Sequence, residues 1–372
     1  MDVVVVGAGM VGAACAYYCA RAGLSVTVVE RGSVAAGTTG AGEGNILLSD
    51  KELGPELDLA LLSARLWREL AAEHGPAFEY EPKGGVVVAA TDAELGALRG
   101  LAAEQAAHGV TTEDVDPVAV EPNIAPDLAG GVYYPQDAQV QPMLAAAQLL
   151  RHSGARILTG TTVTGFLGGE RITGVRTTAG DLPADAVVNA AGTWGGEIAE
   201  LAGGPVPILP RRGFVLVTEP LPVLVRHKVY AADYVADVAA DTAGLRTSPV
   251  IEGTKAGTIL IGASRERVGF DRTPSLPVLR SLAAGAVRLF PVLADVAVLR
   301  AYNGFRPYCP DHLPVIGADP RRPGLLHACG HEGAGIGLAP ATGALVADLL
   351  TGTTPALDVE AFRPDRFAEA TA

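Results

Sequence analysis

The segment Asp2–Glu30 constrains the fold of this chain more than any other part of the sequence. Its valine run and the letters G-A-G-M-V-G predict a strand over residues 2–6, a glycine turn, and a helix over residues 10–22. A second strand is predicted over residues 25–29, and the acidic Glu30 follows it directly. These elements follow one another in the same order in the βαβ units that bind adenine dinucleotides.

The glycines of this turn indicate how a nucleotide would be held. Gly7 allows the tight turn, Gly9 lets the backbone approach a pyrophosphate, and Gly12 lets the helix pack closely on the strand. The N-terminus of the helix offers N–H groups and a positive dipole end to the phosphates. Glu30 is placed to accept hydrogen bonds from ribose hydroxyls. A glycine turn in a βαβ unit without a nucleotide is the alternative interpretation.

The composition limits the classes of protein to which the chain can belong. Its 372 residues are enough for two domains, and a hydrophobic content of 49% argues against disorder. The formal net charge of −13 disfavours nucleic acid as a partner, because phosphate binding needs clustered Lys and Arg. Neither a signal peptide nor a transmembrane segment of about 20 apolar residues is recognisable, so we expect a cytoplasmic protein without a membrane partner.

The cysteines do not predict a metal site. Cys15 and Cys19 lie on the first predicted helix, and Cys309 and Cys329 have no C-x-x-C partner. No histidine array of zinc spacing lies near them. We therefore predict that the cysteines are structural and that the protein binds no metal.

Later segments add two further places where backbone can approach a ligand. A glycine-rich loop over residues 31–45 follows the first unit, and a strand predicted over residues 182–189 ends in N-A-A-G-T-W-G-G before a helix from Trp194. Near the end, a glycine-rich turn over residues 330–343 leads into a helix that we predict to begin near Gly337. Between these segments, short apolar runs predict a mostly antiparallel sheet. Its strands are predicted over residues 213–218, 228–234, 245–251 and 258–262.

Arg306 is the candidate ligand for an anionic substrate. It follows a predicted strand in the run N-G-F-R-P. A guanidinium group binds a carboxylate with two parallel hydrogen bonds, which fixes orientation as well as affinity. A surface salt bridge is the alternative role for this arginine.

Together these segments resemble the D-amino-acid oxidase family of flavoproteins, particularly its glycine oxidase, sarcosine oxidase, and D-hydroxyproline or opine dehydrogenase members. The motifs are G-A-G-M-V-G, G-T-T-G-A-G-E-G-N, N-G-F-R-P and G-H-E-G-A-G-I-G-L-A-P-A-T-G. The resemblance implies an α/β fold with a Rossmann-type, glutathione-reductase-like FAD-binding domain. A second domain of mostly antiparallel sheet and helices is expected to bind the substrate. The implied division gives residues 1–76, 134–208 and 298–372 to the first domain, and residues 77–133 and 209–297 to the second.

The resemblance also implies which residues bind FAD. Those expected at the pyrophosphate, the ribose and the adenine are Gly7, Gly9, Met10, Val11, Gly12, Glu30, Arg31, Val163, Ala190 and Gly192. Those expected along the phosphates and the flavin are Thr38, Thr39, Glu43, Gly44, Asn45, His331, Glu332, Gly333, Ala334, Gly335, Ile336 and Gly337. Sarcosine-oxidase-type enzymes tether FAD through a cysteine, but the matching position here is near Gly304, so we expect non-covalent FAD.

The reaction implied by the resemblance is the oxidation of an amino acid to its imine by hydride transfer to flavin N5. D-Amino acids, glycine or sarcosine, D-hydroxyproline and opines are the candidate substrates. Arg306 matches the arginine that holds the substrate carboxylate. Tyr230 and Tyr234 are candidates to bind the carboxylate or cover the pocket, with packing inside the sheet as the alternative. Glycine oxidase has an arginine at the position of Gly333, so a different or larger substrate is expected.

Two other functions stay open at this stage. An NAD-dependent dehydrogenase would use the same glycine fingerprint, and a flavin-bearing subunit of a larger amine dehydrogenase would need a partner subunit. The sequence leaves the electron acceptor open between dioxygen and another acceptor. It also leaves open whether the chain forms a homo-oligomer.

Overall fold

The computed structural model describes residues 1–234 and 243–371, and these residues form two large sheets flanked by helices. The helices are α1 (Met10–Arg21), α2 (Pro55–His74), α3 (Asp92–Ala107), α4 (Pro117–Val120), α5 (Pro142–Ser153), α6 (Gly195–Ala202), α7 (Leu276–Leu289) and α8 (Gly335–Thr351).

The strands carry both sheets and two smaller pairings. They are β1 (Asp2–Val6), β2 (Ser25–Val29), β3 (Asn45–Ile46), β4 (Gly85–Ala89), β5 (Glu113–Val115), β6 (Gly130–Tyr134), β7 (Ala138–Gln139), β8 (Arg156–Leu158), β9 (Val163–Gly168), β10 (Ile172–Thr177), β11 (Gly180–Pro183), β12 (Ala186–Asn189), β13 (Leu209–Thr218), β14 (Lys228–Ala231), β15 (Arg246–Gly253), β16 (Ile259–Arg265), β17 (Val298–Tyr308), β18 (Val315–Ala318) and β19 (Leu325–Cys329).

The first sheet has the strand order β18-β19-β12-β1-β2-β8 and is parallel except for the antiparallel pair β18–β19. Its central strand β1 is buried from Val3 to Val6, as its uninterrupted valine run requires. Because parallel strands end at one edge, the glycine turn after β1 and the turn after β19 lie at the same edge of the sheet. The helices α1 and α8 begin there.

These two helices pack directly on each other. A Cβ atom added to Gly343 of α8 would lie 2.6 Å from the carbonyl carbon and oxygen of Ala14 in α1. Only a glycine permits this approach, and it holds the two helix N-termini side by side at the sheet edge.

The second sheet has the order β17-β13-β16-β15-β14-β4-β6-β5, and its pairs are antiparallel except for the parallel pair β4–β14. The buried face of α7, with Val278, Leu282 and Ala286, shares a core with Phe214 and Ile261 of this sheet. The sheet therefore has one face covered by a helix. The predicted α/β class, with a mostly antiparallel second sheet, is confirmed.

The structure differs from the predicted elements at several points. The strand predicted over residues 182–189 is two strands, β11 and β12, in different sheets. Ala184 N–H bonds to Thr173 of β10, whereas Asp185 N–H bonds to Asp2 of β1. The chain thus changes sheets directly after Pro183, which has no N–H of its own.

Other differences concern the second sheet. The strand predicted over residues 228–234 ends at Ala231, so Tyr234 lies beyond it. The short strands β5 and β6 were not predicted. Strand β17 pairs with β13 along its length, although the predicted division placed residues 298–372 in the FAD-binding domain. The domain division stays a prediction.

Candidate active site

A cavity of about 360 Å³ is lined by the ends of strands from both sheets and by the turns that lead into α1 and α8. It contains most of the residues predicted for cofactor and substrate. Those lining it are Gly7, Gly9, Met10, Val11, Glu30, Arg31, Thr38, Thr39, Glu43, Asn45, Val163, Ala190, Gly192, Tyr234, Arg306, His331, Glu332, Gly333, Gly335 and Ile336. The predicted residues outside its lining are Gly12, Gly44, Ala334, Gly337 and Tyr230.

The glycine turn after β1 has the geometry that its sequence predicts. Gly7 has φ = +108°, and a Cβ there would lie 2.5 Å from the carbonyl oxygen of Ala190. A Cβ on Gly12 would lie 2.0 Å from the carbonyl oxygen of Gly7. Gly12 therefore serves the close approach of helix and strand and not the cavity wall. Gly44 has a similar role, since its Cβ would lie 1.7 Å from the Val140 carbonyl oxygen.

Thr39 joins the glycine-rich loop to the first helix. Its Oγ1 accepts a hydrogen bond of 2.9 Å from the backbone N–H of Met10, in the first turn of α1. A Cβ on Gly9 would lie 3.1 Å from the same oxygen. The loop that follows the βαβ unit is thus shaped around the helix end where phosphates would bind.

Glu30 is held by backbone groups on both of its oxygens. Its Oε2 accepts from Ala8 N–H at 2.9 Å, and its Oε1 accepts from Gly32 N–H at 2.7 Å. A carboxylate oxygen has more than one lone pair, so this arrangement leaves acceptor capacity for ribose hydroxyls. Beside it, the Arg31 guanidinium stacks on the Trp194 ring, 3.8 Å from its centroid.

The turn before α8 contributes a neutral histidine to the cavity wall. His331 Nε2 lies 2.9 Å from Thr342 Oγ1, about two turns into α8. Burial lowers the pKa of His331 to about 3, so the ring is uncharged near neutral pH. Because its ring is hydrogen-bonded and uncharged, His331 contributes packing to the cavity wall and no charge.

Glu332 is an ionised carboxylate with fixed partners. Its carboxylate pairs with the Arg211 guanidinium and lies 3.1 Å from His312 Nδ1. Burial disfavours its charge, but the His312 hydrogen bond and the charges of Arg211 and Arg265 outweigh burial and lower the pKa of Glu332. This carboxylate is therefore poorly suited to exchange protons with a substrate.

Arg306 of β17 lines the cavity and lies across a glycine of the neighbouring strand. Its Nη1 donates a hydrogen bond of 2.8 Å to the Ser264 carbonyl oxygen. A Cβ on Gly213 would lie 2.3 Å from that Nη1, so the guanidinium occupies the space which a side chain would fill. Burial, followed by the nearby charge of Arg265, lowers the pKa of Arg306.

The two candidate tyrosines have different positions. Tyr234 lines the cavity, and its ring meets that of Tyr230 edge-on at 5.0 Å. Tyr230 is fully buried, and its hydroxyl donates to Ser49 Oγ at 2.5 Å. Tyr230 therefore packs inside the protein, which was the alternative to a role at the substrate. Its candidate role at the substrate is not supported.

Two orphaned polar atoms indicate that this cavity holds a polar ligand. Glu43 Oε1 and Asn45 Oδ1 are buried without a hydrogen-bond partner among the described residues. Burial and the charge of Glu252 raise the pKa of Glu43, against the opposing effect of Lys228, whose Nζ lies 3.6 Å from Glu43 Oε2. Unpaired buried oxygens are costly. Together with the glycine cradle and the two helix N-termini, they fit a dinucleotide with a polar ring system.

Several residues of the site were not predicted from the sequence. Trp194 and Phe305 line the cavity, as do Gly213 and Arg272. Trp194 could have been predicted, because it lies in the N-A-A-G-T-W-G-G segment where the sequence indicates that backbone can approach a ligand. Gly213 could not, because its role depends on pairing with a strand about 90 residues later.

No cysteine belongs to the cavity lining within the described residues, and Cys309 and Cys329 are buried elsewhere. In the same residues no group of three His, Cys, Asp or Glu side chains is placed to hold a metal ion. Nor does any helix within residues 1–234 and 243–371 have the length and apolar character to cross a bilayer.

Comparison with known proteins agrees with the site. A family model described as "FAD dependent oxidoreductase" (DAO) matches residues 2–349, nearly the whole chain. A Rossmann-type cradle, a facing antiparallel sheet and this match together define a flavoenzyme. The chain belongs to the DAO family of FAD-dependent oxidoreductases.

Relatives of known name cover the chain almost completely. Hydrogen cyanide synthase subunit HcnC of Pseudomonas aeruginosa is 33% identical, over 98% of this chain and 96% of its own length. Glycine oxidase of Pseudomonas putida is 31% identical, over 98% of each chain. The crystal structure of glycine oxidase from Geobacillus kaustophilus superposes with a TM-score of 0.89 at 28% identity, covering 98% of each chain.

These findings confirm three predictions. The fold is that of DAO-family glycine oxidase, the cofactor is FAD, and the enzyme class is an oxidoreductase that acts on amino acids. The alternative of an NAD-dependent dehydrogenase is not supported.

Proposed function

We propose that the protein oxidises an amino acid whose carboxylate is bound by Arg306, with FAD held non-covalently by the glycine turn and the first turn of α8. The observation that carries this proposal is the position of the Arg306 guanidinium. It lines the same cavity as both helix ends, and its one hydrogen bond within the described residues goes to Ser264. Half of the fork is thus anchored to the sheet, and the remaining donors are available for a carboxylate.

The side chains around the site hold and orient the substrate and do not exchange protons with it. His331 is neutral and bonded to Thr342, and Glu332 is tied to Arg211 and His312. The amine therefore binds after losing its proton to water. FAD held by the glycine turn after β1 and the first turn of α8 would supply the two-electron oxidant that this conversion of an amine to an imine requires.

The identity of the acceptor has two candidates. An oxidase would reduce dioxygen to peroxide with this chain alone. A flavin-bearing subunit would deliver electrons to a partner, and the relative HcnC favours this alternative because it is named as a subunit. Oxygen consumption by the purified protein with a substrate that bleaches its FAD distinguishes the two.

Replacing Arg306 tests the carboxylate site. Arg306→Leu removes charge-assisted hydrogen bonds, so kcat/KM should fall about 100-fold or more while bound FAD is retained. Arg306→Lys keeps a point charge but not the planar fork and should lie between wild type and the leucine variant. The control is Arg280→Leu, at an exposed position of α7. An unchanged KM in Arg306→Leu would refute the proposal.

A further inference from the structure

Among the residues that the structure describes, Arg265 is a buried cation without an ion-pair partner. It ends strand β16 and is only 5% exposed. Within the described residues its guanidinium forms neither a hydrogen bond nor an ion pair, and the contact it makes is with the Tyr234 ring, 4.9 Å from the centroid. A buried charge of this kind is costly unless something pairs with it.

Arg265 is not among the residues that line the cavity, but it lies beside the end that contains Arg306. Arg306 donates to the carbonyl of Ser264, the residue immediately before Arg265, and Tyr234, on which Arg265 stacks, lines the cavity. The two arginines are close enough that the charge of Arg265 contributes to the lowered pKa of Arg306. The Arg265 guanidinium is therefore a neighbour of two lining residues, Tyr234 and Arg306.

The acidic groups nearby form their ion pairs with other cations. Glu332 is already held by Arg211 and His312, and Glu43 is near Lys228. Within the described residues, no carboxylate lies within ion-pair distance of Arg265 or Arg306. A single carboxylate would balance one of them, whereas two carboxylates on one ligand would balance both.

Gly333 leaves one flank of the Arg306 side chain without a neighbouring side chain. A Cβ on Gly333 would lie 3.6 Å from Arg306 Cδ and Nε, so the glycine leaves that flank of the arginine uncovered. A larger side chain at this position would occupy the space next to the guanidinium.

We propose that Arg265 and Arg306 form a two-guanidinium site for an amine that carries two carboxylates, as N-(carboxyalkyl) amino acids do. Arg306 binds the carboxylate next to the oxidised carbon, and Arg265 binds the second one. This inference rests on the proposed function for the reaction itself, but the binding of two carboxylates can be measured without any reaction.

The test uses two ethers that have no amine to oxidise. Oxydiacetate carries two carboxylates, and methoxyacetate is the matched ligand with one. Their dissociation constants for the FAD-loaded protein are measured by calorimetry and by the change in flavin absorbance. Wild type should bind oxydiacetate at least 10-fold more tightly than methoxyacetate. Equal affinities would overturn the inference, and this comparison needs no variant.

Variants then assign the second carboxylate to Arg265. Arg265→Met should remove most of the preference for oxydiacetate and leave methoxyacetate binding within about twofold, while Arg280→Met should change neither. If Arg265→Met weakened both ligands equally, both arginines would share one carboxylate and the inference would be wrong. Arg265→Lys, which keeps the charge, should retain part of the preference.

A parallel pair of amines separates this inference from the proposed function. N-(Carboxymethyl)glycine should reduce the bound FAD with a kcat/KM at least 10-fold above that of N-methylglycine. If oxydiacetate binds selectively but no amine reduces FAD, the proposed function fails and the two-carboxylate site stands. If amino acids with one carboxylate reduce FAD and oxydiacetate shows no preference, the function stands and this inference fails.

Discussion

At the scale of single residues, the site depends on the absence of a side chain at Gly213. Gly213 gives its side-chain space to the Arg306 guanidinium, which is anchored there by Ser264. A short side chain would therefore displace the group that we assign to the carboxylate without altering any charge. A substitution at Gly213 therefore tests the position of the Arg306 guanidinium, whereas a substitution of Arg306 tests its presence.

Gly213→Ala should raise KM for the amino-acid substrate by about 10-fold or more, because a methyl group would lie 2.3 Å from Arg306 Nη1. FAD should stay bound and its absorbance should be unchanged. The matched control is Gly96→Ala, at a helical position with nothing within 4 Å of the added Cβ. Steady-state kinetics provide the measurement, and an unaltered KM in Gly213→Ala would show that the guanidinium position is not critical.

At the scale of elements, the cofactor site is made by two helices that begin at one sheet edge. The first turns of α1 and α8 both line the cavity, and Gly343 brings the two helices into backbone contact. The packing of α1 on α8 is thus coupled to the geometry of the cofactor site. Gly343 itself is buried and lies more than one helical turn from the residues of α8 that line the cavity.

Gly343→Ala should force α1 and α8 apart, since the new Cβ would lie 2.6 Å from the Ala14 backbone. Overpacking of this kind costs about 1–3 kcal/mol in the free energy of unfolding. FAD affinity should fall with it. Equilibrium denaturation and FAD titration measure the two effects, with Gly100→Ala, whose Cβ would meet nothing within 4 Å, as control. Unchanged stability and affinity would contradict the coupling.

At the scale of the whole molecule, the pH dependence of stability reports on a buried acid outside the cavity lining. Asp137 is fully buried and bonds to Leu48 N–H at 2.7 Å, and Ser49 links it to Tyr230. Burial outweighs these hydrogen bonds and raises the pKa of Asp137 from 3.8 to about 7. This network connects the loop after β3 to the second sheet.

Between about pH 4 and pH 7 the folded state holds a proton at Asp137 that the unfolded chain has lost. Its contribution to stability is therefore complete below pH 4 and is lost as pH rises towards 7, by at most about 1.4 kcal/mol per pH unit. Asp137→Asn should flatten this decline in urea denaturation curves recorded across that range. The control is Asp127→Asn, at an exposed position. A parallel decline in Asp137→Asn and wild type would rule out the effect.

The sequence predicts the first sheet and its cradle better than the second sheet. The segment Asp2–Glu30 contains its whole motif locally, so its strands, helix and glycine roles could be predicted from spacing. Arg265 and Gly213 acquire their roles only when β13, β16 and β17 pair, and that pairing depends on contacts across about 50 to 100 residues. Tyr230 and Tyr234 show the same limit, because only the end of β14 at Ala231 separates a core tyrosine from one that lines the cavity.

Anaerobic reduction of the bound FAD by matched pairs of amines is the most direct test of the central claim. Each amino acid is compared with the amine that lacks its carboxylate, and the loss of the absorbance of the oxidised flavin is followed over time. We expect the amino acids to bleach the flavin and the decarboxylated amines to do so about 100-fold less efficiently or worse. Equal bleaching by both members of each pair, or a protein that binds no flavin, would contradict it.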